Sequence, residues 1–293
     1  MTAKLRGVFT ALPTLFDAEE RVDVPAVLRM VDRSISAGVD GVAVGGSTGE
    51  FASLDERERR HLVEAVVEHA DRRVPVIAQT GAMTTAEAIR HSREAQRAGA
   101  DVLMLAAPYY EPLTLEETLS YLREVAGSVE LPVMLYNAPG ATGVNLEPDV
   151  VAALARQVEN IEYVKDSSAD WEQALRLIHH HGDAVDTFVG WDAFLHSALV
   201  EGAAGVMAGT VNVVPEEAVA LGRAIREGRF EEARRQWGRL YPVIDTMISE
   251  PFVAAVKAGL GVRGEEAGHM RKPATPLSAA ARERIEAALR SLG

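Results

Sequence analysis

Lys165 lies in the run Ile161-Glu162-Tyr163-Val164-Lys165-Asp166-Ser167, at the end of a short apolar stretch. A fully buried ammonium ion costs on the order of several kcal/mol, so a lysine there either snorkels to the rim of a sheet or is kept for chemistry. A desolvated amine gives up its proton more readily and attacks carbonyl carbon, forming a Schiff base. Other segments hold the groups that such a reaction needs. Gly45-Gly46-Ser47-Thr48-Gly49-Glu50 offers backbone N–H groups and two hydroxyls at a turn. It can cradle a carboxylate or phosphate, or its hydroxyls can bond the turn's own backbone. The Gly-Lys-Ser/Thr ending of a P-loop is missing. Ala107-Pro108-Tyr109-Tyr110 and Tyr136-Asn137-Ala138-Pro139 add phenols, which either pack or carry protons.

Competing chemistries find less support. His179-His180-His181 are adjacent, so they cannot share one helical face as metal ligands and read as a solvated helix end. HExxH, GxSxG and GxGxxG are absent. Asp166, Asp170 and Asp192 could act as acids or bases or bind Mg²⁺, but no ligand spacing supports a metal site. Gly190 and Gly209 could admit a phosphate or leave room for substrate. There is no cysteine, which excludes disulfides and thiolate sites. A net charge of −13 argues against nucleic acid as a partner. No uninterrupted membrane-length apolar stretch occurs, and the first residues lack an apolar leader, so a cytoplasmic protein is expected.

These segments need a frame that brings them together. Apolar, β-branched runs at 8–16, 41–45, 74–81, 102–107, 132–137, 163–167, 187–192 and 205–210 alternate with amphipathic stretches. Their continuous apolar character suits parallel strands covered on both faces. Glycines at 38, 99 and 202 stand where helices end before the next strand, and capping boxes are read at Ser53/Glu56, Thr84/Glu87 and Thr114/Glu117. From 53 to 70, Leu54, Leu62, Ala65, Val66 and Val67 can form one apolar face. Eight such units predict an α/β chain folded as a (β/α)8 TIM barrel, with a doubly wound open sheet as the alternative. Residues 1–226 would form the barrel. Helical patterns at 230–247, 252–259 and 278–292 would make residues 227–293 a C-terminal helical appendage, not an independent domain. On a barrel, all four chemical segments fall at strand ends of one face, where enzymes of this architecture keep their sites.

Taken together, the segments resemble the dihydrodipicolinate synthase / N-acetylneuraminate lyase family of class I aldolases. The likeness runs from Gly7-Val8-Phe9-Thr10 to Lys272-Pro273-Ala274-Thr275-Pro276-Leu277, and its most specific parts are Gly46-Ser47-Thr48-Gly49-Glu50, Tyr136-Asn137-x-Pro139 and Lys165. The resemblance implies a cofactor-free, metal-independent lyase that joins pyruvate to an aldehyde or releases pyruvate from a 2-oxo acid. Lys165 would be the Schiff-base lysine and Tyr136 the proton-moving phenol. Ser47 and Thr48 would hold the carboxylate, with Thr48 also in a hydroxyl relay. Tyr110 would complete that relay in a neighbouring subunit, which implies a homodimer or homotetramer. Gly49, Ala141, Gly190, Met207 and Gly209 are the further substrate-binding candidates. Dihydrodipicolinate synthases typically carry arginine two residues after that proline, but Ala141 stands here, and Ala193 and Gly209 replace the polar groups usual in sialic-acid lyases. The expected substrate is therefore a 4-hydroxy-2-oxo acid, such as a 2-keto-3-deoxy sugar acid or 4-hydroxy-2-oxoglutarate. Synthesis of dihydrodipicolinate from aspartate semialdehyde is the alternative, and a barrel that binds oxo acids without turnover is a third.

Overall fold

A computed structural model describes residues 4–292. Eight strands follow one another: β1 (Gly7–Ala11), β2 (Gly41–Val44), β3 (Val76–Gln79), β4 (Val102–Ala106), β5 (Val133–Asn137), β6 (Ile161–Asp166), β7 (Asp186–Val189) and β8 (Gly205–Ala208). Every neighbouring pair is parallel, and β8 pairs with β1, which closes a barrel in sequence order. Between and after the strands come α1 (Val24–Ala37), α2 (Glu56–Ala70), α3 (Thr85–Ala98), α4 (Leu115–Ala126), α5 (Pro139–Thr142) and α6 (Pro148–Gln157). These are followed by α7 (Trp171–His180), α8 (Leu195–Val200), α9 (Pro215–Arg226), α10 (Phe230–Ile248), α11 (Phe252–Val262) and α12 (Ala279–Arg290). The (β/α)8 barrel with C-terminal helices is thus the architecture, and the open sheet is excluded.

Strand periodicity divides the apolar residues between two compartments. One set, including Phe9, Ile77, Met104, Met134, Tyr163 and Phe188, fills the barrel interior. The other, including Val8, Val42, Leu103, Leu135, Val164 and Val206, packs outward beneath the helices. Phe9 and Phe188 meet edge to face at 5.1 Å between centroids, and Tyr163 approaches Phe188 at 6.1 Å, so the interior is plugged by rings below the site. The three helix-to-strand glycines take left-handed φ values of 87° (Gly38), 92° (Gly99) and 87° (Gly202), as a helix-ending joint requires.

Local boundaries differ in three places. β1 ends at Ala11 and does not reach residue 16, because Pro13 has no N–H for a ladder; Phe16 instead makes isolated bridges to Val22 and His269. The first capping box is Asp55/Glu58: Ser53 is spent in a 3-10 turn (Phe51–Ser53), where its hydroxyl donates to the Glu50 carbonyl at 2.8 Å. The buried residues of α2 are Leu62, Val63, Val66 and Ala70, while Ala65 and Val67 are half-buried. Thr84 caps α3 by accepting from the Glu87 N–H, and the reciprocal half of its box is missing. Thr114/Glu117 forms the full box.

The C-terminal helices are not detached from the barrel. α10 packs along α9 and α12, and α11 along α12 and the Thr210–Asn212 turn beyond β8. Leu240, Val243, Val256 and Ile285 join the same buried cluster as the barrel's outer layer.

Candidate active site

Side chains two apart on a strand share a face, so Lys165 points inward with Tyr163. Across the ladder it is in register with Tyr136 on β5 and Phe188 on β7. Those neighbours leave Lys165 about 5% exposed, with its Nζ 4.4 Å from the Tyr136 ring centroid. Among the described residues no carboxylate lies within ion-pair distance of it. A buried cation without a counter-ion is costly, and the ring face offsets part of that cost.

The Tyr136 phenol is the amine's immediate partner. Its hydroxyl and Ser47 Oγ are 3.2 Å apart. Burial alone pushes this phenol upward, but the positive charge of Lys165 and the Ser47 hydrogen bond outweigh it and hold the phenol below the ordinary tyrosine value. A phenol so tuned gives and takes protons more readily near neutral pH. Ser47 sits in a turn fixed from several sides: Glu50 N donates to Ser47 O at 3.0 Å, and the Thr14 hydroxyl donates to Gly49 O at 2.6 Å. Glu50 takes a left-handed φ of 53°, uncommon for a side chain of its size. Its carboxylate is gripped by Lys257 of α11 at 2.6 Å, and the same ammonium donates to the His269 carbonyl at 2.9 Å.

Two buried carboxylates lie nearby: Asp166 follows Lys165 on β6 and so points to the opposite face, whereas Asp192 shares a cavity with the amine. Asp166 Oδ1 accepts from Asn137 and Gln173, both at 2.9 Å, and Oδ2 accepts from the Ser168 hydroxyl at 2.8 Å. Asp192 Oδ1 accepts from the Thr210 N–H at 2.7 Å. Burial raises both carboxyls, against the pull of those hydrogen bonds and, for Asp192, of the Lys165 charge. Asp170 caps α7 through the Gln173 N–H and is exposed at the surface. His179 Nε2 lies 3.0 Å from Glu201 and His181 Nε2 lies 2.9 Å from Asp149, so the histidine run is divided between separate carboxylates.

A cavity of about 380 Å³ opens over Lys165. Ser47, Thr48, Tyr136, Ala141, Gly190, Met207 and Gly209 line it. An adjoining lobe of about 220 Å³ shares Ser47, Tyr136 and Ala141 and extends to Phe51 and Tyr109. Three placements bear on the sequence reading. It is Ser47, not Thr48, that hydrogen-bonds the Tyr136 phenol. Gly49 is buried within the turn and lines neither lobe. Tyr110 leaves the cavity of its own chain and is 81% exposed, whereas Tyr109 stacks edge to face on Phe51 at 5.4 Å.

The two strand-end glycines serve close packing more than open space. A Cβ on Gly190 would stand 2.5 Å from Lys165 Cε and 2.2 Å from Ser167 Oγ. On Gly209 it would stand 2.6 Å from the Phe252 ring and 3.0 Å from Thr48 Oγ1. Trp191, Ile248, Phe252 and Val253 also line the cavity and were not anticipated. For the last three, nothing in their local pattern says that the C-terminal helices fold back over the barrel mouth.

An inward, unpaired amine beside a tuned phenol, under a turn rich in N–H groups, is a site built for carbonyl chemistry. Comparison with known proteins agrees with it. The sequence matches the Dihydrodipicolinate synthetase family over residues 4–292. It is 37% identical over 288 residues to the 4-hydroxy-tetrahydrodipicolinate synthase of Pelobacter propionicus, covering 98% of this chain and 99% of that one. An uncharacterized DapA-like lyase of Halobacterium salinarum is 37% identical over 290 residues, covering 99% of this chain and 94% of the relative. Among solved structures, the prophage protein YagE from E. coli K12, determined in complex with pyruvate, superposes with a TM-score of 0.94 at 32% identity, covering 99% of both chains. With barrel, strand-end lysine and full-length match in agreement, the chain belongs to the dihydrodipicolinate synthetase family of pyruvate-dependent lyases.

Proposed function

We propose that this protein is a class I lyase that makes or breaks the C3–C4 bond of a 4-hydroxy-2-oxo acid, with pyruvate held as an imine on Lys165. The observation that carries the reading is the buried, unpaired Lys165 amine in contact with a phenol that is itself hydrogen-bonded to the Ser47 turn. Lys165 Nζ adds to the C2 carbonyl of pyruvate, and loss of water gives a protonated imine. Loss of a C3 proton leaves an enamine, whose C3 attacks the aldehyde carbon; cleavage is the reverse. Tyr136 moves the protons. Ser47 and Thr48 hold the carboxylate, and Thr48 also serves the hydroxyl relay. Tyr110 joins the relay of a neighbouring subunit, a role supported by its exposure in its own chain. The protein would then act as a cytoplasmic homodimer or homotetramer; no described helix is long and apolar enough to cross a membrane.

Borohydride reduction in the presence of pyruvate tests the reading. One pyruvyl-derived group should become fixed per chain, on Lys165. Label on Lys257, the other buried lysine, or no label, would break it. A second reading, condensation of pyruvate with aspartate semialdehyde, is favoured by the names of relatives such as that of Pelobacter propionicus. Coupled assays with the semialdehyde and with hydroxy-oxo acids separate the two.

A further inference from the structure

Much of the lining of the cavity over Lys165 is apolar, and that bears on the second reactant: Ala138, Ala141, Trp191, Ile248, Phe252 and Val253 all contribute to it. Lys165 and Asp192 are the charged residues of this lobe, and Glu50, already paired with Lys257, is the one in the adjoining lobe. No arginine lines either. Once Lys165 is tied up as the imine, no free cation among the described residues of the chain lines either lobe. On the imine reading, the turn at Ser47 is taken by the carboxylate of pyruvate itself.

On the imine reading proposed above, we infer that the aldehyde partner is uncharged and carries an apolar side chain, aromatic or aliphatic. An aldehyde with its own carboxylate would bury that charge without a counter-ion, and near Asp192 and Glu50. A polyol tail would need a partner for each hydroxyl, but apart from Ser47, Thr48, Tyr136, Ser167 and Asp192 around the amine, the indole of Trp191 is the single side-chain donor lining this lobe. The same wall suits an apolar group. Phe252 is pressed against the Gly209 backbone, which fixes its ring, and Trp191, 37% exposed, stands where an aromatic substituent could stack. Sugar acids and 4-hydroxy-2-oxoglutarate are therefore poorer fits than 4-hydroxy-2-oxo acids bearing a hydrocarbon group on C4.

The chemistry balances without another reactant. The enamine C3 forms the new bond to the aldehyde carbon, the carbonyl π pair moves to oxygen, and that oxygen takes a proton delivered through Tyr136. The water released on imine formation is returned on its hydrolysis, so pyruvate and aldehyde simply add.

The test compares benzaldehyde and isobutyraldehyde with glyoxylate, glyceraldehyde and aspartate semialdehyde, each with pyruvate and the intact protein, by mass-spectrometric product formation. The kcat/KM for the apolar aldehydes should exceed the others by about 10- to 100-fold, the worth of a missing charge-assisted contact. Trp191→Ala should narrow the benzaldehyde-to-glyoxylate ratio by roughly 2- to 10-fold. Equal rates, or preference for a charged or polyhydroxylated aldehyde, with pyruvate still trapped on Lys165, would overturn the inference and leave the lyase standing. Absence of the Lys165 label would remove the lyase reading as well.

Discussion

Gly190→Ala is the sharpest test of how this site is assembled. Gly190 does not use a left-handed φ, so alanine is compatible with its backbone, and any effect must come from the added methyl group. That methyl would stand 2.5 Å from Lys165 Cε, where carbon atoms in contact settle at about 3.5 Å or more. The lysine must therefore retreat by about 1 Å, a displacement that costs on the order of 10²-fold when it misplaces a reacting atom. In free energy that is about 2.7 kcal/mol of transition-state stabilisation. Ser167 Oγ, 2.2 Å from the same methyl and without a hydrogen-bond partner, must move too, and it lies on the same side as the amine. The assay is kcat/KM together with the rate of borohydride-dependent labelling by pyruvate. Both should fall, while circular dichroism and the melting transition show a folded barrel. If Gly190→Ala labels and turns over like the parent, the lysine is not held by that close approach. Gly190 would then be only a spacer for substrate.

Further perturbations test separate parts of the site. Tyr136→Phe should fold and lose roughly 10²–10⁴-fold in rate, because the proton carrier is gone; an unchanged rate would move the role elsewhere. Lys165→Met removes the charge that opposes burial at Tyr136, so the phenol should titrate above the ordinary tyrosine value in an ultraviolet difference titration; titration at the parent's pH would deny the coupling. Lys257→Met strands the Glu50 carboxylate, only 10% exposed, and should cost about 3–5 kcal/mol, whereas Lys257→Met with Glu50→Met should recover most of it in chemical denaturation. Burial raises Asp192, so the folded chain holds that proton more tightly than the unfolded one. Stability therefore falls as pH rises from the ordinary carboxyl value through the raised one, and Asp192→Asn should flatten melting temperature against pH across that window.

The frame and the reactive lysine were legible because they follow from local rules. Apolar runs separated by helix-length amphipathic stretches leave few topologies besides a parallel barrel. Period-two alternation puts Lys165 on the same face as Tyr163, and parallel strands bring all eight C-terminal ends to one rim. Gly38, Gly99 and Gly202 could be read as joints because a left-handed helix end disfavours other residues. The hydroxyl that meets Tyr136, by contrast, depends on the pitch of the Gly45–Glu50 turn against β5. That pitch is set by contacts as remote as Lys257 with Glu50, 207 positions apart. The cavity wall supplied by Ile248, Phe252 and Val253 depends on α10 and α11 folding back onto the Asp192–Phe194 and Thr210–Asn212 turns beyond β7 and β8. Gly190 and Gly209 look alike in the sequence as places without side chains; which group fills each space is a matter of distance between elements. Period, cap and turn act over a few residues and are written locally. The closeness of Lys165 to Gly190, and of Phe252 to Gly209, is fixed only when the whole barrel closes and packs.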